Sequence, residues 1–382
     1  MSAQERAAAL DCLLIADDLT GACDAAVYFA MRGRRTMVRI APGAGLAGST
    51  VIAVSTDSRD LEPAAARNAV SAAAASLPTG SPSILFKKID STLRGQSGLE
   101  IAAALSAFGC EAAVVCPAFP LMNRIVEAGY LRIAGAADFA PIDVAAHFRA
   151  QGAERCVHTG HEAIPEAISS GARMVVLDAI CDDDLGRIAA AGLALDMRIL
   201  WAGSAGLASA LARTLPAGPQ SRPRPSRQGP VVFCIGSDHR VTVAQQAALV
   251  RERQAMLVDR GPAAAARMEA ALRRGQHVVV RMPRGEVSAE WLQEPAAWAR
   301  ASALVLSGGD TAAQLCRAAG AQRIDLLDEI IPGVPCGTIR GGVFDGIAVA
   351  TKSGGFGGAD ALIQIADYFT CLNQQRTGRP LR

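Results

Sequence analysis

Two adjacent carboxylates follow a short apolar run near the start of the chain. Asp17 and Asp18 lie in the segment IADDLTGACDAA (15–26), with Thr20 and Gly21 just before a helical stretch. Carboxylates at a strand end can hold a hydroxyl, a metal ion or a proton in transit. A single Asp or Thr would be enough to cap the helix, so capping alone explains less of the segment. We therefore expect both aspartates to be functional.

A cationic turn follows a later apolar run. The segment FKKIDSTLRGQSG (86–98) carries a set of polar residues before a second helix: Lys87, Lys88, Asp90, Ser91, Thr92 and Arg94. Cationic and hydroxyl groups beside a helix N-terminus suit a carboxylate or a phosphate. Only three of the 38 basic residues are lysine, and two of the three lie here. A solvated turn with a Ser or Thr cap does not explain why lysine remains, so we predict an anion site.

A proline-stiffened loop follows a further apolar run. In CPAFPLMNRIVEAGYL (116–131), Pro117 and Pro120 restrict the backbone. Such a loop can hold Asn123 and Arg124 in place, and both are candidate substrate-binding residues. A purely structural loop explains the segment equally well.

Three strand-to-helix segments of the second half are rich in Gly and hydroxyl groups: 234–240, 306–315 and 350–362. The residues that they offer to a nucleotide are Ser237, Gly308, Gly309, Asp310, Thr311, Gly354 and Gly355, with Lys352 beside them. Glycine permits close backbone approach to phosphate, and a helix N-terminus supplies N–H donors. Each segment is also explained as a Gly-rich helix entry, since neither GxxxxGK[ST] nor GxGxxG is present. We leave His239 out, because a lone histidine more often packs or faces solvent.

Short apolar runs alternate with alanine-rich helical stretches along the chain. The runs cover 12–17, 51–55, 83–88, 112–117, 174–179, 198–203, 231–236, 255–259, 277–281, 303–308 and 347–351. Continuous apolar strands that alternate with helices indicate parallel sheets covered on both faces. We therefore predict an α/β protein of two three-layer α/β/α domains with largely parallel sheets. Ligands bind beyond the carboxyl ends of such strands, which is where the polar segments lie.

A Pro-, Ser- and Arg-rich segment, TLPAGPQSRPRPSRQGP (214–230), has the composition of a semi-extended linker. A chain of 382 residues is also long for one hydrophobic core. We therefore predict a first domain over 1–213 and a second over 231–382.

Composition excludes several classes of protein. A net charge of +2 and an aromatic content of 4% argue against a nucleic-acid partner. No apolar run reaches the roughly 18 to 20 residues of a membrane span, and MSAQERAAAL does not read as a secretory signal, so we expect a cytoplasmic protein without a membrane partner. The ten cysteines show no zinc-ligand spacing. The sequence leaves open whether the chain forms a homo-oligomer.

Six segments, in this order, resemble the four-carbon acid sugar kinase family: IADDLTGACD, KKIDSTLRG, CPAFP followed by NR, GS at 236–237, SGGDTA and KSGGFG. In that family an N-terminal domain binds the sugar acid and a C-terminal domain binds ATP. The resemblance implies that 1–213 binds the acid, that 231–382 binds the nucleotide, and that the active site is a cleft between them. It also implies phosphorylation of threonate, erythronate, 3-oxo-tetronate or a related acid, usually at the terminal hydroxyl O4, with ATP and Mg²⁺.

Site residues follow from the resemblance motif by motif. The acid would meet Asp17, Asp18, Lys88, Asp90, Ser91 and Arg94, and ATP would meet Ser237, Gly308, Gly309, Asp310, Thr311 and Gly354. We expect Asp17 or Asp18, with Asp18 favoured, to deprotonate the attacking hydroxyl. Lys352 and Mg²⁺ would neutralise charge on the transferred group. The metal ligands are not predicted.

The chain departs from the family pattern at two places. Family members commonly carry GRT after PAFP, where this chain has LMNRI (121–125), and 134–148 lacks a His/Pro-rich pattern. The identity of the acid is therefore left open. A two-domain dinucleotide-dependent oxidoreductase and a non-catalytic sensor of sugar acid and nucleotide are the alternative functions.

Overall fold

The computed structural model describes residues 10–45, 48–78, 80, 82–136, 138–219, 228–259, 263–282, 298 and 300–370. The chain divides into two compact units, Met1–Gln220 and Ser221–Arg382. Among the described helices, none combines the length and the apolar character that crossing a membrane requires.

A parallel sheet forms the centre of the first unit. Its strands are β1 (Cys12–Ala16), β2 (Thr36–Arg39), β3 (Val51–Ser55), β4 (Ile84–Lys88), β5 (Ala112–Cys116), β9 (Cys156–Thr159), β10 (Met174–Leu177) and β11 (Ile199–Gly203). They lie in the order β2–β3–β1–β4–β11–β5–β10–β9, and each neighbouring pair is parallel. The central strands are buried along their length, as the apolar runs predict.

Two rows of helices cover this sheet. The helices of the unit are α1 (Leu19–Met31), α2 (Pro63–Ser76), α3 (Ser97–Phe108), α4 (Val144–Ala150), α5 (Ile164–Ser169), α6 (Asp182–Leu193) and α7 (Ala205–Thr214). One row consists of α1, α7 and α6, and the other of α2, α3 and α4. A small antiparallel sheet of β6 (Arg124–Glu127), β7 (Tyr130–Ile133) and β8 (Ile142–Asp143) was not predicted.

The second unit is built around another sheet. Its strands are β12 (Val231–Ile235), β13 (Met256–Asp259), β14 (Val278–Arg281), β15 (Ala303–Ser307), β16 (Arg323–Ile331), β17 (Val334–Arg340) and β18 (Ala348–Lys352). The helices that the structure describes in this unit are α8 (Arg240–Arg253), α9 (Ala264–Arg273), α10 (Gly309–Ala318) and α11 (Ala361–Thr370). The order is β13–β14–β12–β15–β18–β17–β16, parallel as far as β18, after which the β16–β17 hairpin is antiparallel.

The α/β prediction is confirmed. Each of the eleven predicted apolar runs forms a strand whose ends lie within two residues of the predicted ends. Residues 220–227 of the predicted linker lie outside the described residues. The start of the predicted linker is bound to the first unit, because the Gly218 amide donates to the Arg32 carbonyl at 2.8 Å.

Candidate active site

The carboxyl ends of three neighbouring strands in the first unit bring charged side chains together. In the order β3–β1–β4, Ala16 lies beside both Ser55 and Lys88, so the three strands end level with one another. The side chains that meet here are Asp17, Asp18, Arg59, Lys88 and Asp90, which we call the strand-end cluster. The sequence predicted all of its members except Arg59.

Arg59 joins the acidic members of the strand-end cluster. Its guanidinium donates to both oxygens of Asp17, with Nε at 2.8 Å and Nη2 at 3.0 Å, and Nη1 donates to Asp18 Oδ2 at 2.5 Å. Asp90 lies 3.8 Å away, and the Arg59 side chain is only 14% exposed. A fork of five donors is suited to bridging two carboxylates in this way.

Sequence reasoning missed Arg59, although a signal was present. The segment TDSRD (56–60) directly follows the predicted strand 51–55, and the strand-end argument applied to the neighbouring strands applies here equally. The turn that carries Arg59 is bound to the backbone that follows β1, because the Ser58 amide donates to the Asp17 carbonyl at 2.9 Å. Ser58 Oγ also donates to Glu100 at 2.6 Å.

Asp18 is also the N-cap of α1. Its Oδ1 accepts from the Gly21 amide at 2.6 Å, and its Oδ2 accepts from the Thr20 hydroxyl at 3.1 Å. A β-carbon at Gly21 would lie 2.6 Å from Asp18 Oδ1, so glycine lets this cap close. Both carboxylate oxygens of Asp17, in contrast, accept from Arg59. The two adjacent aspartates therefore have different surroundings.

The surrounding positive charges keep two buried carboxylates ionised. Burial alone would raise the pKa of Asp17, but the charges of Arg59 and Lys87 outweigh burial and lower it. Burial is likewise outweighed at Asp90, whose pKa is lowered by the hydrogen bond from Arg94 and by the charge of Arg59. Both groups are therefore acceptors at neutral pH.

The two lysines of β4 have different partners. Lys87 is fully buried, and its Nζ pairs with Glu100 Oε2 of α3 at 2.7 Å. Lys88 Nζ donates to the Ile89 carbonyl at 2.8 Å and lies 3.4 Å from where a β-carbon at Gly21 would stand. Lys88 therefore places an ammonium group beside the first turn of α1, while Lys87 forms a structural ion pair.

Asp90 organises the turn after β4. Its Oδ2 accepts from the Thr92 amide at 3.1 Å and from Arg94 Nε at 3.0 Å, while Arg94 Nη2 donates to Oδ1 at 2.7 Å. Ser91 is buried in the same turn, and Leu93 takes a left-handed conformation at φ 61°. The Arg94 side chain is 64% exposed, so its guanidinium lies on Asp90 and also faces solvent.

The two candidate residues of the third predicted motif lie at the end of a short turn. Burial lowers the pKa of Arg124, although the charges of Asp90 and Asp24 oppose this shift. Asn123 follows a short 3₁₀ turn and adopts φ 62°. Asparagine tolerates that conformation well, which accounts for its residue type without a ligand.

In the second unit, three neighbouring strands end in the predicted glycine segments. A β-carbon at Gly236 would lie 1.9 Å from Thr311 Oγ1, and one at Gly354 would lie 2.1 Å from Ser237 Oγ. The Gly308 amide donates to the Lys352 carbonyl at 3.2 Å. The ends of β12, β15 and β18 therefore bring glycines and hydroxyls into one group, and residues of these types suit a phosphate.

Lys352 is buried among neutral oxygens. Its Nζ donates to the Ser353 carbonyl at 3.0 Å, and to Thr242 Oγ1 and the Gly354 carbonyl at 3.3 Å each. Burial lowers its pKa to about 8. An anion bound beside this amine would stabilise its charged form.

The remaining predicted nucleotide residues lie around this group. Gly308 precedes α10 at φ 104°, Gly309 begins the helix, and Asp310 is exposed in its first turn. His239, which the sequence analysis left out, caps α8 by accepting from the Val241 amide at 3.2 Å. Its ring lies beside Gly355.

Comparison with family models covers most of the chain. Residues 12–211 match a model described as a sugar-binding N-terminal domain. Residues 242–362 match one described as a nucleotide-binding C-terminal domain. The fold is similar to that of a Haemophilus influenzae protein of the family designated DUF1537, with a TM-score of 0.69 at 21% identity over 94% of this chain and 100% of that one.

Three curated relatives are kinases of small acids. A D-threonate kinase of Bordetella bronchiseptica is 35% identical, covering 92% of this chain and 96% of the relative. A D-erythronate kinase of Heliobacterium modesticaldum is 27% identical over 93% and 96%. A 3-oxo-tetronate kinase of Cupriavidus necator is 28% identical over 91% and 94%.

Proposed function

Because this chain belongs to the four-carbon acid sugar kinase family, we propose that it transfers the γ-phosphoryl group of ATP to O4 of a four-carbon sugar acid, with D-threonate the preferred acid. The chain is a sugar-acid kinase, and a nucleotide is its second substrate. The observation that carries the choice of acid is the 35% identity to two D-threonate kinases, compared with 27% to the D-erythronate kinase.

We assign the sugar acid to the strand-end cluster. The cations Lys88, Arg94 and Arg124 would hold its carboxylate, because charge-assisted hydrogen bonds are about twice as strong as neutral ones. Asp17 and Asp18 would accept hydrogen bonds from its hydroxyls. Arg59 donates one hydrogen bond to each oxygen of Asp17 and one to Asp18, and a carboxylate has about four acceptor sites, so a substrate hydroxyl would donate beside the guanidinium.

We assign the nucleotide phosphates to the glycine segments of the second unit, with Ser237 and Thr311 as hydroxyl donors and Lys352 as the cation. Asp17 or Asp18, with Asp18 our first choice, would take the proton of the attacking hydroxyl. Phosphoryl transfer depends mainly on alignment and charge stabilisation, so the base supplies only part of the rate enhancement.

Mg²⁺ would neutralise charge on the phosphates. Within the described ranges, no group of three or more His, Cys, Asp or Glu side chains is arranged to hold a metal ion. Mg²⁺ usually keeps several waters and binds through substrate phosphates with one or two carboxylates. We propose Asp310 or one of the Asp17–Asp18 pair as that carboxylate.

The test is an assay of ADP release with Mg·ATP and a panel of D- and L-threonate, D-erythronate and 3-oxo-tetronate, followed by NMR assignment of the phosphorylated oxygen. We expect D-threonate to give the highest kcat/KM and a 4-phosphate product. ATP and acid binding without ADP release would favour the sensor. The oxidoreductase is not favoured by the relatives, all of which are named kinases.

Arg94→Ala should weaken acid binding by about 10- to 100-fold, because a hydrogen bond to a charged group is lost. ATP binding should be unchanged, and titration calorimetry with each ligand separates the two effects. Arg253→Ala is the matched control, since Arg253 makes a similar two-point pair with Asp367 in the second unit. Equal loss of both affinities, or of neither, would contradict the assignment of Arg94 to the acid.

ATP binding should weaken as the pH rises through about 8, the pKa that burial gives Lys352. Below that pH the ammonium attracts the phosphates, and above it the neutral amine does not. Calorimetric Kd values between about pH 6 and 10 would measure the change. In Lys352→Arg the cation stays charged throughout, so the weakening should disappear. If the Arg variant keeps it, Lys352 is not the group that titrates.

A further inference from the structure

Helix α8 contacts the glycine-rich loop 353–358 through two buried side chains. Gln245 Nε2 lies 2.7 Å from the Gly358 carbonyl oxygen and 3.1 Å from the Phe356 and Gly357 carbonyl oxygens, which share its two N–H donors. One turn earlier, Thr242 Oγ1 donates to the Gly354 carbonyl at 2.6 Å. Both side chains are 0% exposed. The helix therefore contacts four carbonyl groups of this loop.

The direction of these carbonyls fixes the direction of the amides. In a trans peptide unit the C=O and the following N–H point in opposite directions. Because the Gly354, Phe356 and Gly357 carbonyls face α8, the amides of Gly355, Gly357 and Gly358 face away from it. No acceptor for these three amides is found in the part of the chain that the structure describes.

The residue types of the loop agree with this arrangement. Gly357 has φ 84°, and a β-carbon there would lie 2.6 Å from Ala361 Cβ. A β-carbon at Gly354 would meet Ser237 Oγ at 2.1 Å. Successive backbone amides without an acceptor attract anions. The Lys352 ammonium donates to the Ser353 carbonyl at the start of the same loop.

We propose that Gln245, supported by Thr242, is a positioning residue for the nucleotide: it turns the carbonyls of the loop inward, so that the amides of Gly355, Gly357 and Gly358 bind the phosphates. This assignment rests on the proposed ATP-dependent activity. It adds to that activity a role for α8, a helix that contributes no predicted site residue of its own.

The test compares Gln245→Met, Gln245→Glu and a control, Gln246→Met, whose residue lies next along the helix and is half-buried. Met keeps the volume but removes the donors, and Glu places a carboxylate against three carbonyls. We expect Kd for ATP to rise about 10-fold in Met and further in Glu. The control should match the wild type, and KM for the acid should stay within about twofold in all three.

Adenosine distinguishes positioning from a general loss of structure. If Gln245 acts through the phosphates, competition by adenosine against a fluorescent nucleotide should be unchanged while ATP binding weakens. Equal weakening of both, or wild-type ATP binding in Gln245→Met, would overturn the proposal. A wild-type protein that binds ATP but phosphorylates none of the acids would overturn the proposed activity and leave this test of Gln245 intact.

Discussion

Changing Asp17 and Asp18 separately to Asn should lower kcat by about 10²- to 10⁴-fold in the variant that lacks the general base. Asn keeps the size of Asp and one acceptor oxygen, but it cannot accept the proton and its Nδ2 cannot accept from Arg59. It is also as good an N-cap as Asp, so Asp18→Asn should leave α1 in place. Acid binding measured by calorimetry should persist, which separates the chemical step from recognition.

The control for these variants is Asp325→Asn, because Asp325 accepts from both Arg323 and Arg340 in the second unit. This change removes a carboxylate from between two arginines without touching the strand-end cluster, so kcat should be unaffected. If both Asp17→Asn and Asp18→Asn keep a near-wild-type kcat with every acid of the panel, the base lies elsewhere. Asp90 and Asp310 would then be tested next.

Arg59→Ala should both destabilise the first unit and weaken acid binding. Removing Arg59 leaves Asp17 and Asp18 buried without the guanidinium that they share, and breaking a buried ion pair on one side typically costs about 3–5 kcal/mol. Urea unfolding measures the stability, and the KM of the acid measures recognition. Arg59→Lys keeps the charge but loses the fork, so its effects should be intermediate.

The pH dependence of stability gives a second measurement of the same change. The lowered pKa of Asp17 contributes stability that is present above the pKa of the unfolded chain and is lost as pH falls through the folded pKa. Without Arg59 the folded pKa rises, so this stability should be lost at a higher pH in Arg59→Ala than in the wild type. The double variant Arg59→Ala/Asp17→Asn should recover part of the loss, and strict additivity would argue against direct coupling.

The sheets could be predicted because they depend on local pattern: buried parallel strands are continuous apolar runs. Ligands bind where such strands end, so Asp17, Lys88 and Gly308 became candidate site residues from their place and residue type. The β16–β17 hairpin was missed, although Pro332–Gly333 separates its strands and Pro-Gly is a turn signal. The sequences of these two strands mix polar and apolar residues, so neither strand appears as a continuous apolar run.

Residues that act through tertiary contacts were harder to predict. Arginine is the usual basic residue of this chain, so an arginine at position 59 did not stand out as functional. The rare lysines did stand out. Glu100 lies within α3, and only the fold shows that Lys87 is its partner. Gln245 has no sequence signal, because its role depends on carbonyls more than a hundred positions later in the chain.

All lysines of the chain lie inside it. Lys87 and Lys352 are 0% exposed and Lys88 is 4% exposed, and the sequence contains no other lysine. Amine-selective acylation, reductive methylation and side-chain ubiquitin conjugation therefore find no lysine on the exterior, where arginine supplies the positive charge. Attaching a dye, or immobilising the protein on a solid support, would need a different reactive side chain, such as the exposed thiol of Cys181. Covalent modification of a lysine would report on the buried strand ends and not on the surface.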